Sequence, residues 1–390
     1  MTEALRVGIV GAGSWSRAAH IPGFQHSDDL DVVALCDIDR GLAAQVAREV
    51  GIPGVYGSAS EMLDRERLDL VSIVTPDDRH AADVMAALAA GAAILCEKPL
   101  ATSLAGARAL ALAAESAARQ TRVGFILRYA PAVIRLREIV LGGDIGQPHL
   151  LQAFQQNGQF LDPATPMHWK MERLRTGGGA VVEYGIHTLD LARWVMGEVS
   201  RVCASGRTLI PSRPLPGGAG TAEVNVDDST LWLMDFASGA MGIGHAGWAT
   251  VGRPPGLELR VFGSRGAVRC LLADDLPEAA ALWLAGADGI FRPVDTPVAG
   301  TPLMPISGPW WFRFAAHLIG HFVAEIRAGH SSGPAFRDGA QAQAILDALL
   351  HSMSEDRWVT VPTDAMSLVA PEPPSVTDPS QAGPLPVTQS

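Results

Sequence analysis

Several common features are scarce in this chain, and each scarcity narrows its function. Its 390 residues hold four cysteines, Cys36, Cys96, Cys203 and Cys270, widely spaced and without a CxxC pair. That spacing excludes a zinc knuckle and a disulfide framework and points to reduced, mostly buried thiols. Positive charge is also short, with 30 Lys and Arg against 41 Asp and Glu, a net charge of -11 and a pI near 5.4. Nucleic acids and anionic membranes both select basic surfaces, so neither is an expected partner. No apolar run is long enough to span a bilayer, and residues 1–7 lead directly into a strand without the regions of a signal peptide. A cytoplasmic protein acting on a small molecule is the expectation.

What is present is a chain that is 48% hydrophobic, enough to bury a full core and to form two domains. Strand-like runs at 6–10, 32–36, 70–74 and 92–96 alternate with Ala-rich helical stretches, the pattern of a parallel sheet covered on both faces. Residues 123–127 read as its last strand and 131–141 as the helix leading away. Beyond residue 148 the runs at 150–155, 230–236, 240–245 and 257–262 follow one another as a mostly antiparallel sheet. A helix over 179–196, ended by Gly197, interrupts them, and helices return at 310–328 and 339–353. Pro- and Gly-rich stretches at 211–220 and 252–256 read as surface excursions. The segment 371–390 has almost no large apolar residues and is not expected to order itself. The fold class is therefore α/β: a doubly wound Rossmann-type domain over 1–125, an α+β domain over 126–364, and a Pro/Ser-rich tail over 365–390.

Gly11-Ala12-Gly13 follows the first strand and precedes a helix, the setting in which a glycine turn approaches a pyrophosphate. Ser14 and Trp15 lie in the same turn, and Ser16 occupies the third motif position in place of Gly or Ala. Asp37, at the end of the second strand, is spaced to bond the adenosine ribose, which favours NAD; Arg40 nearby leaves NADP open. Thr75-Pro76 ends another strand at the same edge, and His80 follows as a cofactor ligand or, equally, a capping histidine.

Glu97-Lys98-Pro99 closes the run at 92–96, placing a lysine beside the expected nicotinamide. Withdrawn from water, that amine would have a lowered pKa and serve as a base. Glu183, His187, Asp190 and Trp194 fall at i, i+4, i+7 and i+11, one face of the 179–196 helix. Such a face alone is more often solvated or structural, but beside Lys98 it reads as a site. His317, His321 and Glu325 have spacing that can hold a metal, yet the apolar positions around them say core-facing helix, and no metal is expected.

Together these motifs resemble the Gfo/Idh/MocA family of NAD(P)-dependent oxidoreductases. The resemblance rests on Gly11-Ala12-Gly13, Thr75-Pro76 with His80, residues 96–100, Val123-Gly124-Phe125 with Arg128, and Gly177-Gly178-Gly179 with Glu183, His187 and Asp190. Asp338-Gly339 and Trp358-Val359 with Pro362 extend it over nearly the whole chain. It implies a Rossmann domain followed by a large open antiparallel sheet whose free face makes a homodimer or homotetramer. It also implies a cis Lys98-Pro99 bond and a sugar, polyol or inositol-like substrate, with inositol and anhydrosugar dehydrogenases nearest.

The family's pattern has Asp four residues before the catalytic His, where this chain has Glu183. The resemblance casts Lys98, His187 and Glu183 as the catalytic set: neutral Lys98 or His187 takes a hydroxyl proton while hydride passes to nicotinamide. Cofactor contacts fall to Gly11, Gly13, Ser14, Trp15, Asp37, Thr75, Pro76, His80, Glu97 and Lys98. Arg128, Tyr129, Asn157, His168, Trp169 and Lys170 are candidates for substrate hydroxyls; Lys170, Arg173 and Arg175 keep acidic sugars open. Two other readings stand beside this one: an NAD-dependent glycoside hydrolase or lyase using transient oxidation, and a nucleotide-sensing protein without catalysis.

Overall fold

The computed structural model describes residues 3–27, 29–250, 256–276, 279–296, 309–362 and 365–366. Most of the 252–256 loop and all of the 371–390 tail lie outside the described residues. Ala365 and Met366, at the start of the expected tail, are buried against the core.

The first sheet contains β1 (Leu5–Val10), β2 (Leu30–Cys36), β3 (Gly54–Tyr56), β4 (Leu70–Ile73), β5 (Ala93–Cys96) and β6 (Thr121–Val123). All pairings are parallel, in the order β3-β2-β1-β4-β5-β6. The order reverses between β1 and β4, and a crevice opens outside the carboxyl ends of those strands. β4 and β5 are buried throughout because helices cover both faces, which is why they read as unbroken apolar runs. The strand expected over 123–127 stops at Val123. Gly124 N bonds back to Cys96 O at 2.8 Å, and the chain turns into a 3₁₀ segment, Ile126–Tyr129. β3, only three residues long, carries no period that a sequence reading can detect.

The second sheet has nine strands: β7 (Pro148–Gln156), β8 (Val199–Arg207), β11 (Ser229–Phe236), β12 (Met241–Gly247), β13 (Gly256–Gly263), β14 (Ala267–Leu272), β15 (Ala280–Ala285), β16 (Arg292–Pro293) and β17 (Val359–Thr360). β7 and β12 run parallel and every other pairing is antiparallel. The 211–220 excursion is instead bounded by a small hairpin, β9 (Ser212–Pro214) with β10 (Thr221–Glu223). Arg213 there is fully buried and donates to Phe160 O and Asp162 O, which ties the hairpin down.

Alternation along the strands sends Trp232, Met234 and Val261 into the buried core. Leu231, Leu233 and Met241 stand on the opposite, exposed face. The 179–196 helix begins as a π-helical turn, Val181–Gly185, continues as the α-helix Ile186–Met196, and ends at Gly197. Among the described residues no helix is long and apolar enough to cross a membrane.

Candidate active site

At the end of β1, Gly11 has φ +104°, and a Cβ there would lie 2.7 Å from Val74 O. Only glycine fits this turn. At Gly13 nothing lies within 4 Å of such an atom, which leaves its backbone open to a phosphate. Asp37 Oδ2 accepts from Ala12 N at 2.7 Å and Oδ1 from Asp39 N at 2.9 Å, so the carboxylate is locked beside the turn. Arg40 donates to Val55 O and pairs with Glu61 at 3.4 Å, so its guanidinium is turned to these partners.

Gly11, Gly13, Ser14, Trp15, Asp37, Thr75 and Pro76 line one continuous cavity of about 1320 Å³, shared with Glu97, Lys98, Glu183 and His187. Pockets that hold a single drug-sized ligand measure roughly 300–1,000 Å³. The cavity therefore accommodates a dinucleotide with a second small molecule beside it.

Lys98 is the hub of the chemical end. The peptide to Pro99 is cis. Behind it Glu97 is buried, with His20 Nε2 at 3.0 Å from its carboxylate and His20 Nδ1 at 2.8 Å from Ser72 Oγ. Burial pushes the Glu97 carboxyl up, but His20 and Lys98 outweigh it and bring its pKa down to about 2. Lys98 Nζ donates to the Glu183 carbonyl at 3.1 Å and lies 3.2 Å from Glu183 Oε2. Lys170 Nζ holds the other oxygen, Oε1, at 2.7 Å. One carboxylate thus serves two ammonium groups.

This arrangement works against the expected neutral Lys98. Burial does lower its pKa, but the carboxylates of Glu183 and Glu97, joined by Asp77 once it ionises, outweigh burial, and the net shift is upward. His187 goes the other way: burial, reinforced by the Lys98 charge, brings it down to about 3. These opposite shifts favour a charged Lys98 and an uncharged His187. Burial also pushes the Asp77 carboxyl on the cavity wall up to about 8, against the pull of Lys98.

The structure brings Asn157, Trp169 and Lys170 to the cavity, but not His80, Arg128, Tyr129 or His168. The His80 ring is buried between Pro99 O at 2.8 Å and Thr75 O at 2.9 Å, bracing the lysine turn from behind. Arg128 forks onto Asp190 at 2.8 and 2.5 Å and reaches Asp338 at 3.2 Å. Tyr129 packs against the His321 ring, and His168 accepts Lys170 N at 3.2 Å between Phe160 and Trp169.

Asp190 and Trp194, expected on the face of Glu183 and His187, turn instead toward Arg128. The π-helical turn at Val181–Gly185 breaks the 3.6-residue spacing on which that shared face rested. On the Trp310–Ala328 helix, Glu325 is taken by Arg122 and Ser332, and His317 by Tyr129 O. Asp77, Gln155, Gln159 and Tyr184 also line the cavity and were not singled out from sequence. Gln155 and Asn157 share a parity at the end of β7, a period-two signal that could have paired them.

Residues 5–125 match an oxidoreductase family with an NAD-binding Rossmann fold, and residues 133–269 match the GFO/IDH/MocA C-terminal domain. The chain belongs to the GFO/IDH/MocA oxidoreductase family. Levoglucosan dehydrogenase from Pseudarthrobacter phenanthrenivorans is 30% identical over 386 residues, covering 92% of this chain and 99% of the relative. Inositol 2-dehydrogenase from Rhizobium meliloti is 28% identical, over 92% of this chain and 99% of its own. Among solved structures, levoglucosan dehydrogenase in complex with NADH superposes with a TM-score of 0.82 at 27% identity, over 93% of this chain and 100% of that one. An NAD-binding oxidoreductase from Klebsiella pneumoniae gives 0.83 at 28%, with the same two coverages. The Rossmann domain of this GFO/IDH/MocA protein is an NAD-binding one, in keeping with the locked Asp37 carboxylate.

Proposed function

We propose that the protein is an NAD-dependent dehydrogenase interconverting a secondary hydroxyl and a ketone on a sugar, polyol or inositol-like substrate. The carrying observation is that one cavity is lined both by the buried His187 and by Lys98, which Glu183 holds at 3.2 Å. Bound NAD supplies the two-electron acceptor at its nicotinamide ring. His187 takes the hydroxyl proton. The Lys98 ammonium donates to the same oxygen as negative charge develops on it, and Glu183, tied to Lys170, keeps that ammonium aimed. In the reverse direction the same groups protonate the ketone oxygen. Asn157, Trp169 and Lys170 hold the rest of the substrate. The exposed sheet face with Leu231, Leu233 and Met241 is the surface for a homodimer or homotetramer.

The test is a screen of purified protein with NAD and NADP against inositols, aldoses, anhydrosugars and glycosides, following NADH absorbance. NADH accumulation with at least one polyol is expected, with NAD preferred. Turnover without net NADH would move the assignment to a hydrolase or lyase. Binding of NADH without turnover of any substrate would move it to a sensor.

A further inference from the structure

Asp227 lies just before β11, is 4% exposed and forms no part of the cavity wall. Its Oδ1 accepts from Gly179 N at 2.8 Å, its Oδ2 from Val181 N at 2.9 Å, and its own carbonyl from Ala180 N at 2.9 Å. Three successive amides at the start of a helix, which have no partner within the helix, thus end on one residue of the neighbouring sheet. Thr230 Oγ1 adds a third donor to the carboxylate, at 2.8 Å. The backbones are in contact as well: a Cβ at Gly179 would lie 2.0 Å from Asp227 O. The glycine is the shape this clamp requires. From Gly179 the connection to the chemistry is one hydrogen bond long, because Glu183 N donates to Gly179 O at 3.0 Å. Asp228, next in the chain, accepts from Trp248 Nε1, Leu209 N and Ile210 N, so the anchor itself is braced.

We propose that Asp227 is a positioning residue for the dehydrogenase reaction, fixing the entry of the helix that carries Glu183 and His187. The proposal rests on the catalytic reading of those two residues. Glu183 must meet Lys98 at 3.2 Å and Lys170 at 2.7 Å from one carboxylate, a geometry that a small slide of the helix would break. Misplacement of catalytic groups by about 1 Å costs on the order of 100-fold in rate.

In full-length D227N one carboxylate oxygen becomes a donor, so either Gly179 N or Val181 N loses its acceptor. The expected result is a kcat lowered roughly 10- to 100-fold, NADH affinity within about twofold of wild type, and a displaced inflection in the pH profile of kcat/KM. T230V, which removes only the supporting hydroxyl, is expected to show the same changes at smaller size and covers the case in which D227N does not fold. A wild-type kcat and profile in T230V and in any folded D227N would overturn the proposal. So would a kcat loss matched by an equal loss of NADH affinity with no change in profile. Hydrogen exchange in the NADH complex reads the clamp without substrate: faster exchange confined to amides 179–187 is expected, and unchanged exchange there would overturn the clamp. If wild-type protein oxidises no polyol while exchange responds as expected, the dehydrogenase reading has failed and the clamp has not.

Discussion

Lys98 bonds both ends of Glu183, with its Nζ 3.1 Å from the carbonyl oxygen and 3.2 Å from the carboxylate. The carbonyl contact fixes direction and the carboxylate contact maintains charge. Lys98→Met keeps the apolar stem and deletes both. In the purified variant kcat is expected to fall by about 100-fold or more, while NADH binding, measured by fluorescence titration, stays close to wild type. Near-full turnover would show that Lys98 is not in the reaction.

Glu183 uses its two oxygens separately, Oε2 for Lys98 and Oε1 for Lys170. Glu183→Asp retains the charge but pulls it back by about one bond, so it meets one ammonium rather than both. Glu183→Ala leaves two cations facing each other in a buried site. The loss in kcat/KM is expected to be about tenfold for Asp and at least another tenfold for Ala. Equal losses would show that reach decides, not charge.

These two residues also mark how far the sequence could be read. Lys98 was legible because a glycine turn, an apolar strand and the Glu-Lys-Pro triplet stand in order, and position along a parallel sheet follows from order. Its charge was not legible. That depends on Glu183 and Glu97, joined by Asp77 once it ionises, converging from three segments, against a burial effect of opposite sign. Arg128 was misplaced for a related reason. Proximity to a motif suggested the substrate, whereas Asp190 and Asp338, from two distant helices, take its guanidinium. The first sheet was nearly complete from periodicity, but β8, β14 and β15 were missed in the second: β8 is broken by Ser, Arg and Gly, β14 holds an Arg, and the wholly apolar β15 shows no alternation, while β16 and β17 are too short to carry a period.

Asp77 and His187 give opposite pH dependences of stability. Asp77 has a folded-state pKa of about 8 against an ordinary 3.8, so between those values the folded protein holds a proton that the unfolded chain has released. Stability therefore falls as pH rises through that window. Asp77→Asn is expected to gain in Tm over wild type from pH 5 to pH 8, then level off. For His187, at about 3 against an ordinary 6.5, the unfolded chain holds the extra proton. Stability is lost as pH falls from 6.5 toward 3. His187→Gln should flatten that acid slope in thermal melts, and a slope equal to wild type would contradict burial of a neutral histidine.

Arg128 separates a positioning role from a substrate contact. Its guanidinium is buried, bidentate on Asp190, and lies over the Trp194 ring at 5.4 Å. Removing one partner of a buried pair costs about 3–5 kcal/mol because the other charge is left uncompensated. Arg128→Met should therefore lower Tm by several degrees, while KM for the sugar changes less than about threefold, since the side chain does not reach the cavity. Adding Asp190→Leu removes the stranded carboxylate and should restore part of the lost stability, a coupling that a double-mutant cycle reads directly. A raised KM with an unchanged Tm in Arg128→Met would return the residue to the substrate.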